Sequence, residues 1–502
     1  MNEVINYFEL IYSISYNVIK KFDIKNKNYQ LLMSIKNLNQ FDIKIIKDID
    51  NIINEKKIEN KISLISSIDE KITSNKQLGN LSKKENNQKI TDKENKVISQ
   101  QKKEDKTKDN QIINPKDKKD TEKVNKDKQK IDEEEEESKC NIIIDIGSGY
   151  IKAGIEGYEG PRNVFPTLIG YPKYTFDNVD WDNKFFVGAE ARCKGAVLKL
   201  NYPIENGVVN NWDDLEKILR HTLFNELKVD PAKHNIFLCD QLFCTKKNRE
   251  EIAKIMFETL GVPGLYFCDS SVLSLYSEGK FDGFVVDSGA TVTQFNPILD
   301  GKPLSHASIK LDLAGRDLDK YMIKLLYEVG ENFPGYSILP KIIKEEACYV
   351  ALDFEEELKS VEPFDYELPD NTHLVIKDQR IRCPEVLFKP SMVGKEVSGF
   401  GKTCYDSIQK CNKDIRKILL NNIILSGGTC FFKGFQERLT KEIKSIVPIS
   451  MKEEVNIITS NNIFASWVGG AILSSISIFQ SNWITKAEYE EYGDTIVHKK
   501  CS

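Results

Sequence analysis

The sequence predicts an α/β fold over residues 140–502, behind an N-terminal extension of helical and disordered character. Three observations predict it. Every glycine of the 502-residue chain except Gly79, and all four tryptophans, lie after residue 139. From Cys140 onward, apolar runs suited to buried strands end in glycine-rich turns: Ile142 to Ile144, Phe284 to Val286, and Ile423 to Leu425. Longer patterns with helical spacing fall between them, such as Trp212 to Leu227 and Asn248 to Leu260.

The extension has different physics. Residues 1–70 contain neither glycine nor proline, and Ile5, Phe8, Tyr12, Ile19 and Phe22 recur at helical spacing, as do Leu31, Ile35 and Leu38. Two readings stand for this stretch: amphipathic helices capable of coiling, or an Asn/Lys/Ile-biased tract with chance periodicity. Residues 71–139 are almost all charged or amide side chains and end in the acidic run Glu133 to Glu137. Such a stretch buries too little apolar surface to offset the entropy of ordering, so disorder is expected. Its charges are mixed and the whole chain carries a formal net charge of −5, which argues against direct capture of nucleic acid or an anionic membrane. Asn2, Glu3 and Glu9 stand where a secretory signal would need a basic head and apolar core. The 11 cysteines form no CxxC pair and the five histidines no HExxH, so scattered reduced thiols are expected rather than a structural transition-metal site.

Chemistry concentrates in three segments. In residues 141–154 an apolar strand runs into Asp145, turns through Gly147-Ser148-Gly149, and returns through Lys152. Glycines let backbone N–H groups approach an anion; Ser148 adds a hydroxyl, Lys152 a cation, and Asp145 a carboxylate able to order the water shell of a magnesium ion. Taken alone, the segment is equally an ordinary hairpin. Residues 283–295 repeat the plan with Asp287, Ser288 and Gly289. Two such hairpins facing each other across a cleft can clamp a polyphosphate, with Asp145 and Asp287 flanking one metal. In residues 422–435 a strand ends in Ser426-Gly427-Gly428-Thr429 ahead of a predicted helix, a place where a nucleotide can lie close to backbone. Gly469-Gly470 is expected to open an apolar helix and to serve close helix–sheet packing. Gly401-Lys402-Thr403 reads as surface loop: Glu396 occupies the place of the first P-loop glycine.

Hairpin, hairpin and Gly-Gly turn, in that order, resemble the actin, sugar-kinase and heat-shock-chaperone ATPase superfamily. The segments YIKAG, NWDDLEKILRHTLFNEL, VLSLYSEG, LDLAGRDLDKYM, CYVALDFEEEL, YELPD, RCPEVLFKPS, WITKAEYEEYG and IVHKKC are similar to actin itself, in actin's order, across essentially all of 140–502. The resemblance implies a two-lobed clam, the first lobe 140–277 with 465–502 and the second 278–464, holding ATP and Mg2+ or Ca2+ in its cleft. By matching position, Ser148, Gly149 and Lys152 would hold phosphates from one lobe, and Gly289 and Thr291 from the other. Asp145 and Asp287 would order the metal's water shell. Lys341, Lys344 and Glu345 match the base and ribose contacts, with Lys341 standing for an arginine. Gly427, Gly428, Thr429 and Phe432 match the adenine-side loop, with Phe432 standing for a tyrosine.

The departures from actin bear on function. Actin's hydrolytic glutamine is Ser270 here, and the histidine ending its second hairpin is Gln294. Ala290 replaces an aspartate, Ile463 a cleft lysine, and Asn206 the histidine that actins usually methylate. No confident catalytic residue therefore remains, and weak or absent hydrolysis is expected. The segment matching the DNase-binding loop, Thr175 to Lys184, is shorter and carries Asp177, Asp180 and Asp182. The tip around Met392, Val393 and Gly394 gains Lys395 where actin's plug is apolar, and the loop between Leu358 and Tyr366 is shortened. Two expectations follow: a cytoplasmic, cytoskeletal protein forming or joining filaments with itself or actin and meeting actin-binding proteins, or a non-polymerising subunit of a larger assembly using ATP as a structural ligand. Lysine-rich stretches such as Lys116 to Lys119 leave the nucleus open. A small-molecule kinase lacks support, because the actin-like segments extend far beyond the cleft.

Overall fold

In a computed structural model of the chain, the structure describes residues 140–173, 184–241, 243–335, 337–460 and 462–501. The readings on residues 1–139 and on the aspartates of the 175–184 segment lie outside them. Among the described residues, no helix is long and apolar enough to cross a membrane.

Two six-stranded sheets are built to one plan. In the first, the strand Ile142–Ile146 pairs antiparallel with Tyr150–Ile155 and parallel with Ile236–Asp240, which pairs parallel with Gly264–Asp269. Asn163–Pro166 and Ile484–Thr485 close the edges. In the second, Gly283–Ser288 pairs antiparallel with Thr293–Leu299 and parallel with Ile423–Ser426, which pairs parallel with Ile457–Thr459. Ile142, Ile143 and Ile144 are all fully buried, since helices cover both faces of this central strand; that cover is why the strand reads as an unbroken apolar run. Each such side chain contributes roughly 1.5–3 kcal/mol on burial. Asp145 is the last residue but one of its strand, and other parallel strands end on Asp240, Asp269 and Ser288, at the carboxyl ends where α/β sheets place their ligands.

The chain passes between the sheets on two helices. Ser270–Ser277 follows the last parallel strand of the first sheet and leads into the second hairpin; Ala465–Ser475 returns the chain to the first sheet. They cross against each other. A Cβ on Gly469 would stand 1.9 Å from the Leu273 carbonyl oxygen, so only hydrogen fits there. Gly470 meets the sheet, 3.1 Å from Ile143 Cγ2 by the same measure. The expected helix–sheet packing thus describes Gly470, whereas Gly469 serves helix-on-helix contact. Both lie inside the helix rather than at its opening. Trp467, fully buried, donates its indole N–H to the Ile143 carbonyl at 3.0 Å.

Against the second sheet, Phe400 packs edge-on to Phe295 and Phe435, ring centroids 5.3 and 5.9 Å away. Phe400 opens the helix Phe400–Lys410, and Gly401-Lys402-Thr403 form its first turn, with Gly401 and Thr403 buried. The surface-loop reading of that triplet is therefore corrected. Phe400, Cys404 and Ile408 recur every fourth residue and bury one face, which outweighs the loop-like composition. Beside this core, Arg438 donates to both oxygens of the wholly buried Glu385 at 3.1 and 3.0 Å, to the Ala351 carbonyl at 2.9 Å, and to Glu442 at 2.9 Å. The helical patterns read from sequence appear as Trp212–Arg220 continuing through Leu227, and Lys246–Lys254 continuing through Thr259.

Candidate functional site

The tips of the two hairpins meet. Register sets Asp145 opposite Lys152 in the first and Asp287 opposite Gln294 in the second. Thr291 Oγ1 donates to Ser148 Oγ at 2.8 Å, and a Cβ on Gly149 would stand 2.7 Å from Ala290 Cβ. Lys152 Nζ donates to Asp145 Oδ2 at 2.6 Å, and Ser466 Oγ donates to the same oxygen at 2.9 Å. Burial alone would lower the Lys152 pKa, but the charge and hydrogen bond of Asp145, with Asp287 behind, carry it above the usual lysine value. Burial raises the Asp287 carboxyl, opposed by Lys152.

The Gly-Gly turn closes on the second hairpin. Gly427 has φ +80°, and a Cβ there would stand 2.3 Å from the Ser288 carbonyl oxygen and 2.7 Å from Asp287 Oδ1. Thr429 Oγ1 donates to the Gly289 carbonyl at 2.8 Å, and Gly315 N–H reaches the same oxygen at 3.2 Å. A side chain at Gly428 would meet nothing within 4 Å, so the protein's own packing does not require glycine there. The turn is followed by a single helical turn, Gly428–Phe431, before the long helix Phe435–Ile446 begins; the double glycine does not abut that helix directly. Phe432 lies half-buried against the core of the second sheet.

Of the base-side candidates, Lys341 Nζ donates to the Tyr150 hydroxyl at 2.8 Å and Lys344 Nζ to Asp319 at 2.6 Å, while Glu345 is half exposed and 3.8 Å from both lysines. Ser270 Oγ donates to Asp287 Oδ2 at 3.1 Å. Gln294 is buried, its side-chain oxygen 3.4 Å from Asn296 Nδ2, which in turn donates to Ser271 Oγ at 2.6 Å.

Several supporting groups carry no signal in the sequence. Thr167 grips the first turn, donating its hydroxyl to the Gly147 carbonyl at 2.6 Å and its N–H to that of Gly149 at 3.1 Å. Arg316 donates to the Ser148 carbonyl at 3.1 Å. Ser466 and Tyr150 likewise act across elements distant in sequence.

The donor set fits a divalent cation with a polyphosphate. Among the described residues no three or more His, Cys, Asp or Glu side chains converge to cage a metal. What converges is one buried carboxylate, Asp145, one half-buried carboxylate, Asp287, hydroxyls and turn N–H groups: oxygen ligands for a hard cation that keeps most of its water, and donors for phosphate oxygens.

Asp269, at the end of its strand, caps the crossing helix Ser270–Ser277: its Oδ1 accepts from Ser271 and Val272 N–H at 2.9 and 3.2 Å. Burial, with Asp240 nearby, pushes its pKa up to about 7. The folded state therefore holds this proton more tightly than the unfolded chain does. The stability this gives is present in full below the ordinary carboxylate pKa of about 4 and is lost as pH rises through about 7. Asp269→Asn keeps a cap acceptor and cannot ionise. Its stability is expected to fall less than the parent's between about pH 4 and pH 8, by up to a few kcal/mol. Denaturant melts across that range measure this; parallel profiles for the two proteins would refute it.

Two sheets of one plan, joined by crossing helices and meeting at paired Asp–Gly hairpins, make this the α/β architecture of the actin, sugar-kinase and heat-shock-chaperone ATPase fold. The actin family model matches residues 135–342 and 336–502, and the chain belongs to the actin family.

Proposed function

We propose that this protein is an actin-like, ATP-binding cytoskeletal protein that forms or joins actin-type filaments and hydrolyses ATP weakly or not at all. The mirrored hairpins, joined tip to tip by Ser148 and Thr291, carry the reading. In it, residues 140–277 with 465–502 form one lobe and 278–464 the other. Ser148, Gly149 and Lys152 hold phosphates against Gly289 and Thr291; Asp145 and Asp287 hold the water shell of Mg2+ or Ca2+; Gly427, Gly428, Thr429 and Phe432, with Lys341, Lys344 and Glu345, flank the nucleoside. The cation supplies neutralisation of phosphate charge when bound. Filament partners are the protein itself or actin, in the cytoplasm.

The cleft test is a thermal melt. A ligand bound only by the folded state at about 100 times its dissociation constant adds roughly 2.7 kcal/mol. Saturating Mg-ATP is expected to raise the midpoint, and Asp145→Ala and Asp287→Ala each to shrink the rise. A midpoint indifferent to Mg-ATP would sink the assignment.

One observation favours a second reading, a non-polymerising subunit of a larger and possibly nuclear assembly. Lys395 is turned back onto its own chain: it lies 3.0 Å from Asp317 and donates to the Asp312 carbonyl. Met392 and Val393 pack partly buried against the core. A tip held this way offers little apolar surface to a neighbouring subunit. Sedimentation of the protein in Mg-ATP decides between them.

A further inference from the structure

We propose that Tyr150 is a positioning residue that ties the two walls of the cleft together through Lys341 and Arg192, and so sets how long a nucleotide stays. The inference rests on the nucleotide reading above and adds a residue that reading leaves without a role. Tyr150 directly follows Gly149, and its carbonyl closes the first turn by accepting the Gly147 N–H at 3.2 Å. Its side chain does something separate. The hydroxyl accepts from Lys341 Nζ at 2.8 Å and lies 3.4 Å from Arg192 Nη1. The Lys341 ammonium also stands 4.3 Å from the ring centroid, and the Arg192 guanidinium 5.7 Å.

The two cations come from opposite walls. Arg192 lies on the short helix Gly188–Cys193, which packs on Asn163–Pro166 and on the small sheet of Ile169–Pro172, Phe186–Val187 and Leu198–Asn201. Lys341 lies on Leu339–Ala347, which packs on Gly315–Glu328 and Gln379–Glu385 beside the second sheet. One phenol oxygen thus takes a charged donor from each side. Burial would raise this phenol's pKa, yet the charges of Lys341 and Arg192 outweigh it and bring the value below that of a free tyrosine. The nearest acid to Lys341 is Glu345, at 3.8 Å and half exposed, so the phenol oxygen is the ammonium's shortest contact.

Release of a ligand held between the hairpins requires the walls to part. Parting breaks the Lys341 bond to Tyr150 and lifts the ammonium from the ring, both partly buried, charge-assisted contacts. The contacts stand without a ligand in place, so entry into the closed cleft must break them too. The tie therefore slows exchange in both directions, and with it release.

Stopped-flow release of a fluorescent ATP analogue in magnesium tests this on the full chain. Tyr150→Phe keeps the ring and removes the oxygen; release is expected about 10-fold faster, with association speeded in the same direction. Arg192→Gln, on an outer helix, is expected to speed release by a smaller factor. Combined with Tyr150→Phe it should add less than it does alone, because the shared oxygen is already gone and only the 5.7 Å ring contact is left to lose. Unchanged release in Tyr150→Phe, or full additivity of the two, would overturn the tie. Should Tyr150→Phe fail to fold, the Arg192→Gln release rate alone decides: parity with the parent refutes the tie. If the parent's own melt ignores Mg-ATP, the nucleotide reading falls and the tie with it. A parent that shifts, beside variants that release normally, overturns the tie alone.

Discussion

Phosphate release from the purified protein in Mg-ATP is expected to run about 100-fold or more below that of an actin carrying both water-positioning side chains. In the proposed reading the phosphate-holding groups remain, so binding is expected to survive; what is expected to change is the alignment of the attacking water. Serine at 270 is too short to reach a water near the terminal phosphate, and its hydroxyl is already given to Asp287 at 3.1 Å. Gln294 is buried, facing Asn296. Phosphoryl transfer asks little of the protein beyond position and charge, so loss of position falls directly on the rate. Ser270→Gln and Gln294→His, made singly and together, are the critical variants, assayed as monomer and under polymerising conditions. The pair is expected to restore turnover that neither restores alone. Actin-like rates in the unmodified protein would refute the idea. In that event Asp269 is the carboxylate to test next, since its Oδ2 has no hydrogen-bond partner among the described residues while Oδ1 caps the helix Ser270–Ser277.

Arg438→Ala is expected to cost about 3–5 kcal/mol of stability, the range for stranding one partner of a buried ion pair. Glu385 would be left wholly buried with only the half-exposed Lys389, 3.8 Å away, to meet its charge, and the Ala351 carbonyl would lose its donor. Burial already raises the Glu385 pKa against the pull of Arg438, so its proton should return in the variant at milder acidity. Replacing both residues together, Glu385→Leu with Arg438→Met, should cost far less, because no charge is then stranded. Denaturant melts compare the three proteins; a single variant within about 1 kcal/mol of the parent would contradict the argument.

The strand frame was legible because the central strands are covered on both faces. Ile142 to Ile144, Phe284 to Val286 and Ile423 to Leu425 therefore stand out without any need to judge alternation. The hairpins were legible for a second reason: the same Asp–Gly plan appears twice, and the repetition excludes chance better than either copy does. The first turn of the 400–410 helix was misread because glycine, lysine and threonine look like loop, while the evidence for helix lay in what Phe400, Cys404 and Ile408 bury. Thr167, Ser466, Arg316 and Tyr150 escaped notice for a different reason. Each works by a hydrogen bond to a residue far off in sequence, and nothing local marks such a partner. The Asp319 partner of Lys344, a residue matched by position to base and ribose, was illegible for the same reason.

The contact of Gly469 with the Leu273 carbonyl also has a mechanical meaning. A methyl group does not fit between the two crossing helices, so neither can slide along the other without a clash of backbone against backbone. These two helices are also the two passages of the chain between the sheets. A single added carbon at residue 469 would therefore wedge apart both connections at once, at a place where backbone rather than a yielding side chain would have to give way.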